Sequence, residues 1–154
     1  DELVEAAVEQ IFGEMREFIE PRIEAEKTAR GQLRAYIGSE FAFLEQNRAK
    51  LLAVSYILMN HRDDRGALYL RERSEAAYLK SVTSILKKGQ AEGEFRSFAI
   101  VPMATTLMHA INGALAQWAA NPKLSLAEYA EELVTIFDLA TRKRAGRTTG
   151  KSAG

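Results

Sequence analysis

The chain contains no cysteine. A disulfide frame and a thiolate metal site are therefore excluded, and the absence suits a reducing compartment. Histidine is nearly as scarce, with only His61 and His109. Zinc usually takes three or four clustered ligands. His61 has Asp63 and Asp64 nearby in sequence but no second histidine, so this group reads as a solvated loop and no metal is expected. No apolar run approaches the roughly 20 residues of a membrane span, and no signal-peptide pattern opens the chain. No segment shows the alternation of a half-buried strand. Phosphate-cradling loops are missing too, because Gly89 and Gly93 follow a helical segment instead of preceding one. Nothing places a serine beside either histidine, so no nucleophilic triad can be drawn. The glutamates of the first segment share a polar face and do not form an acid–base pair. These absences point away from an enzyme.

Net charge is also missing: 21 basic and 21 acidic residues cancel. The balance is uneven along the chain. From Arg142 onward stand Arg142, Lys143, Arg144, Arg147 and Lys151 without an acid, which leaves the body at −5 against a total of zero. Residues 1–26 carry nine carboxylates against Arg16 and Arg22. So acidic a body is a poor surface for nucleic-acid phosphates. The tail from Ala145 to Gly154 is rich in glycine, serine and threonine and has nothing to bury. It is expected to be disordered and solubilising, and it lacks aromatic residues for stacking on bases. The division expected is one domain over 1–143 and a basic tail over 144–154. The chain opens without methionine and reads as a piece of a longer protein.

Hydrophobic residues make up 47% of the chain, enough for a real core. Their spacing of three and four predicts an all-α fold of about six helices. Val4, Val8, Ile11, Met15 and Ile19 mark the first helix, to about Ala25, with Pro21 ending or kinking it. Thr28 is placed to cap a second helix running to about Gln46, with Leu33, Ile37, Phe41 and Leu44 inward. Asn47 is placed to cap a third, with Leu51, Leu52, Ser55, Tyr56, Leu58 and Met59 turned inward. His61 to Gly66 reads as a loop. A fourth helix follows from about Leu68 to Ala91. The fifth runs from Pro102, which suits a first helical turn, to about Ala120. Ser125-Leu126-Ala127-Glu128 forms a capping box for the sixth, to about Arg142. Leu126, Tyr129, Ala130, Leu133, Val134, Ile136, Phe137 and Ala140 cover more than half of that helix, a wider apolar surface than one core needs.

The stretch from Tyr78 to Trp118 is the most ordered in pattern. Tyr78, Val82, Ile85, Leu86 and Gly89 share one face. Gly93 is suited to the left-handed residue that stops a helix, and Phe95 is the apolar anchor of the link behind it. The next helix sets Ala104, Leu107, Met108, Ile111 and Leu115 on one side. Small residues, Thr106, Ala110, Gly113 and Ala114, lie toward another. This arrangement resembles the effector-binding and dimerisation region of TetR-family transcriptional regulators. The resemblance lies in a Gly-x-x-x-Gly-x-Phe-like turn at Gly89, Gly93 and Phe95, then a long helix with a central glycine at Gly113, then a closing amphipathic helix. It covers about residues 1–143. Asp1-Glu2-Leu3 resembles the end of the junction that joins the family's DNA-binding helices to this region.

The resemblance implies a cytoplasmic homodimeric regulator, a repressor released by a small apolar or aromatic effector and needing no cofactor. Operator DNA would be met only through a helix-turn-helix that this chain lacks, and no membrane is involved. Dimerisation through the last two helices is expected to use Thr106, Ala110, Gly113, Ala114, Gln117, Tyr129, Leu133, Ile136, Phe137 and Ala140. The effector is expected in a mainly apolar cavity of roughly 300–1,000 Å³, lined by Phe41, Tyr56, Met59, Tyr78, Val82, Met103 and Leu107. His109 has three roles open to it: ligand donor, partner-facing residue or satisfied core histidine. Carboxylates and lysines are scarce on these faces, so the ligand is expected to be uncharged or to keep its charge at the rim. The competing reading is a helical interaction or scaffold protein with a solid core and no ligand; a small helical enzyme is a more distant rival.

Overall fold

Six helices follow one another in the computed structural model: α1 (Glu2–Glu24), α2 (Ala29–Gln46), α3 (Arg48–Asn60), α4 (Gly66–Ala91), α5 (Ile100–Ala120) and α6 (Leu126–Thr141). The structure describes residues 2–60 and 66–144, and no strand occurs among them. Most of the predicted loop at 61–66, with His61, and the tail from Ala145 lie outside the described residues. The all-α expectation therefore holds, and each predicted boundary falls within about two residues of the observed one.

Local chemistry accounts for the ends. Pro21 sits inside the last turn of α1, which closes one residue after Ile23. Thr28 accepts from Gly31 N–H at 3.0 Å, as an N-cap does. Ser125 does the same for Glu128 N–H at 3.2 Å, the serine half of the predicted box. Asn47 behaves differently from expectation. Its side-chain amide donates back to Phe43 O at 3.0 Å, finishing α2, while its backbone carbonyl accepts the first bond of α3 from Leu51 N–H. Helix α5 begins two residues before Pro102, whose missing N–H is then one of the donors that a first turn leaves free.

The turn after α4 ties the molecule together. Gly93 takes φ +76°, the left-handed value that ends a helix. The chain then folds back, Phe95 N–H donating to Gly89 O at 2.9 Å. Phe95 lies buried against Gly89, where a Cβ would run into its ring. The same short link reaches two distant helix ends. Arg96 N–H donates to Thr141 O at 2.8 Å and its guanidinium to Ala140 O at 2.6 Å, at the C-terminus of α6. Glu94 accepts from Ala29 N–H at 2.9 Å and from Arg30 N–H at 3.1 Å, at the N-terminus of α2. Burial pushes the Glu94 carboxyl up, but those two backbone donors and others outweigh it and hold it below the usual range. Arg30 then forms a two-pronged pair with Asp138 of α6, at 2.5 and 2.9 Å.

Helix α2 is the centre of the packing, in contact with α1, α3, α4 and α6; α5 lies across α4 and α6. The core runs through Ile11 and Ile19 of α1, Leu33, Ile37, Phe41 and Leu44 of α2, Val82 and Leu86 of α4, Leu107 and Ile111 of α5, and Leu133 and Phe137 of α6. At the far end Arg48 lies over the buried Trp118 ring, 4.8 Å from its centroid, and joins α3 to α5.

Candidate functional site

A polar cluster lies inside this apolar body, between α2 and α4. Glu40 belongs to the buried face of α2, four residues after Tyr36 and three after Ile37. It is only 5% exposed. The Tyr36 hydroxyl, also buried, donates to Glu40 Oε1 at 2.8 Å. Tyr78 comes from α4 and meets the Tyr36 ring edge-on, with centroids 5.3 Å apart at 82°. The Tyr78 hydroxyl is shut off from solvent and completes no hydrogen bond, although the two tyrosine hydroxyls are near enough to influence each other. Ser39, on the same helix, is buried as well.

The electrostatics follow from the low dielectric. Burial pushes the Glu40 carboxyl up to about 7, against the pull of the Tyr36 hydrogen bond. Burial and then the neighbouring Glu40 charge push both tyrosine hydroxyls well above the ordinary value. Among the described residues, the groups that act on Glu40 include no cation. Such a cluster can exchange hydrogen bonds with a guest and can hold a proton near neutral pH. Among the described residues, no group of three or more metal-ligating side chains stands together.

The predicted ligand-site residues fall into different places. Phe41, Val82 and Leu107 are core residues on three helices. Phe41 stacks on Tyr129 of α6, with centroids 5.9 Å apart. Tyr78 and Met103 are half-buried against the core. Tyr56 is 70% exposed and so stands on the surface of α3, not inward as its phase implied. His109 is exposed on α5, which removes the core reading of that residue. Met59 belongs to α3, and its side chain lies outside the described residues. Tyr36 and Glu40 stand outside the predicted set. Their signal was present: Tyr36 and Glu40 fall in phase with Leu33, Ile37, Phe41 and Leu44. The expectation that carboxylates avoid these faces is corrected by Glu40, whose charge is relieved by protonation and by Tyr36.

Two crevices are described elsewhere. One, open and of about 1080 Å³, runs past Arg96, Leu139, Ala140, Arg142, Lys143 and Arg144. The other, of about 10 Å³, lies among residues that include Arg30, Leu33, Phe95 and Asp138.

The predicted interface residues divide by face. Ala114, Leu133 and Phe137 are buried within the single chain. Thr106, Ala110, Gly113 and Gln117 form an outward stripe on α5 at spacings of four, three and four. A Cβ at Gly113 would meet nothing within 4 Å. On α6 the apolar excess is carried by Ile136, 46% exposed, and by Leu139, 53% exposed and outside the predicted set. Tyr129 and Ala140 are half-buried beside them.

No protein-family model matches the sequence, and no curated protein sequence matches it. Solved structures do match the fold. AibR, solved in complex with isovaleryl coenzyme A and operator DNA, superposes with a TM-score of 0.70 at 14% identity, over 88% of this chain and 72% of that one. The MbdR regulator from Azoarcus sp. CIB gives 0.63 at 19% identity, over 84% of this chain and 72% of its own. A structure described as a TetR-family transcriptional regulator from Rhodococcus sp. gives 0.67 at 25% identity, over 89% and 72%. The chain carries the six-helix fold of the TetR-type regulators that it superposes on.

Proposed function

We propose that the chain is the ligand-binding and dimerisation domain of a TetR-like transcriptional regulator, a repressor released when a small, largely apolar effector binds. The observation that carries this reading is a buried polar cluster, with an unpartnered hydroxyl, placed between two helices of an otherwise apolar regulator fold. Its effector lies among Phe41, Tyr78, Val82, Met103 and Leu107, with Tyr56 of α3 toward the mouth and His109 on the outer side of α5. AibR offers a precedent in the same fold, since it was solved with both an acyl coenzyme A and operator DNA. Binding acts by population shift: the effector favours one arrangement of α1 over another, and α1 is the element that leads toward the DNA-binding helices. The regulator proposed here is cytoplasmic and not an enzyme; no helix among the described residues is long and apolar enough to cross a membrane.

The dimer forms through the outward stripe of α5 and through Ile136, Ala140 and Tyr129 of α6, the same patch on both chains. Ala114, Leu133 and Phe137 support it from the core side. The scaffold reading has one observation in its favour, that neither described crevice is lined by a residue of the ligand set. A thermal-shift screen with apolar and aromatic compounds separates the two. The ligand-site reading expects several to raise the melting temperature, and a flat response across the screen supports the scaffold.

A further inference from the structure

The Tyr78 hydroxyl is the group that the fold leaves unfinished. It is buried and, among the described residues, has no hydrogen-bond partner of good geometry, with the Tyr36 hydroxyl close by. A buried polar group without a partner is costly, and native folds carry few. Beside it, Glu40 uses its bond from Tyr36 at 2.8 Å, which fills one of roughly four acceptor positions on a carboxylate. The two groups come from different helices, α4 and α2, so no local turn chemistry explains why they meet.

The chemistry of the missing partner can be read from what each group needs. Tyr78 has a proton to give and needs an acceptor. Glu40 has acceptor capacity and needs a donor, or when protonated offers a proton of its own. Among the described residues no cation acts on the cluster that an anionic head group would enter, and an uncompensated buried charge is strongly disfavoured. An ammonium would satisfy Glu40 and could donate to the Tyr78 oxygen but, having no acceptor, would leave the Tyr78 proton unpaired. A hydroxyl or a primary amide satisfies both at once. Ile37 and Phe41, close to Glu40 along α2, and Val82, one turn after Tyr78 on α4, are apolar and buried.

Resting on the ligand-site reading above, we propose that Tyr36, Glu40 and Tyr78 are the polar end of that site and select a neutral ligand. Its body is apolar, and its head group is a hydroxyl or amide that accepts from Tyr78 and donates to Glu40. Tyr36 holds the carboxyl in place for that contact.

The test uses the whole chain, its Tyr78→Phe variant and three probes: para-cresol, toluene and para-toluate. Binding is read by titration calorimetry and stability by thermal unfolding. Para-cresol is expected to bind more tightly than toluene or para-toluate. Tyr78→Phe is expected to weaken para-cresol by about fivefold to tenfold, the loss of one hydrogen bond, and to leave toluene unchanged. Without ligand, the variant is expected to be as stable as the parent or more so, because it removes an unpaired hydroxyl. Equal para-cresol affinity in both proteins, or tighter binding of para-toluate, overturns the selection proposed here while the ligand site stands. A large fall in melting temperature on Tyr78→Phe assigns the hydroxyl a structural role and also overturns it. Failure of all three probes to bind removes the ligand-site reading itself, and this proposal with it.

Discussion

Glu40 makes stability depend on pH in the direction opposite to most carboxylates. Its folded value is raised from 4.5 to about 7 by burial. Below 4.5 both folded and unfolded states hold the proton, and the group is neutral to the balance. Between 4.5 and 7 the unfolded chain ionises while the fold keeps its proton, so stability falls as pH rises through that window. Above 7 the loss levels off, at a magnitude on the order of 3 kcal/mol. Glu94 works the other way. Its folded value is depressed, so its contribution is present above 4.5 and lost as pH falls. Glu40→Gln keeps an acceptor for Tyr36 and removes the titration. The variant is expected to match the parent near pH 4.5 and to exceed it by a few kcal/mol at pH 8. Denaturant unfolding at both pH values checks this, and parallel pH dependence in the two proteins would show that Glu40 ionises normally.

At the scale of the element, α2 shows how a helix end can depend on residues far away in sequence. Its first four N–H groups have no partners within the helix. Glu94 accepts from Ala29 and Arg30, Thr28 accepts from Gly31, and Gln32 N–H reaches Thr28 O at 2.9 Å. Ala29 is fully buried, so water cannot replace Glu94 there. The negative carboxylate also favours the positive end of the helix. Glu94→Ala is therefore expected to destabilise the domain by about 1 kcal/mol. In hydrogen exchange, the amides of Ala29 and Arg30 are expected to lose protection while those in the middle of α5 keep theirs. An unchanged exchange pattern would mean that the first turn of α2 stands without this cap.

For the molecule as a whole, the question is what covers the outward sides of α5 and α6. Phe137 is held inside the single chain, so a charge there would damage the core and report on folding instead of association. Ile136 is the better probe, being large, apolar and 46% exposed. In a two-fold interface each substitution acts twice. Ile136→Asp is expected to weaken the proposed dimer by roughly two orders of magnitude and to leave helix content and the melting curve of the monomer intact. Light scattering reads the change directly, from twice the 17.2 kDa chain mass to one. A parent chain that stays at one chain mass at high concentration would leave these faces for another partner.

Much of the fold was legible from periodicity and end signals, because both are local. Six apolar stripes at spacings of three and four, the caps at Thr28 and Ser125, and the stop at Gly93 are properties of neighbouring residues. They emerge before any helix meets another. The family resemblance of the Gly89–Gly93–Phe95 turn is local for the same reason: Phe95 needs a residue without a side chain six positions back. What remained hidden depends on which helices meet. The phase of α3 alone turned Tyr56 inward, yet a helix of 13 residues at the rim has neighbours on only part of its circumference. The excess apolar surface of α6 was visible, but its division between core and surface was not. Leu133 and Phe137 face α2, and Ile136 and Leu139 face away. Glu40 was in phase with the core of α2 all along. A carboxylate is tolerated there only because Tyr36 bonds it and burial keeps a proton on it near neutral pH. Burial comes from the packing of helices around it, and so does the unpaired hydroxyl of Tyr78, which stands 38 positions away on α4. Periodicity along one helix carries no information about that encounter.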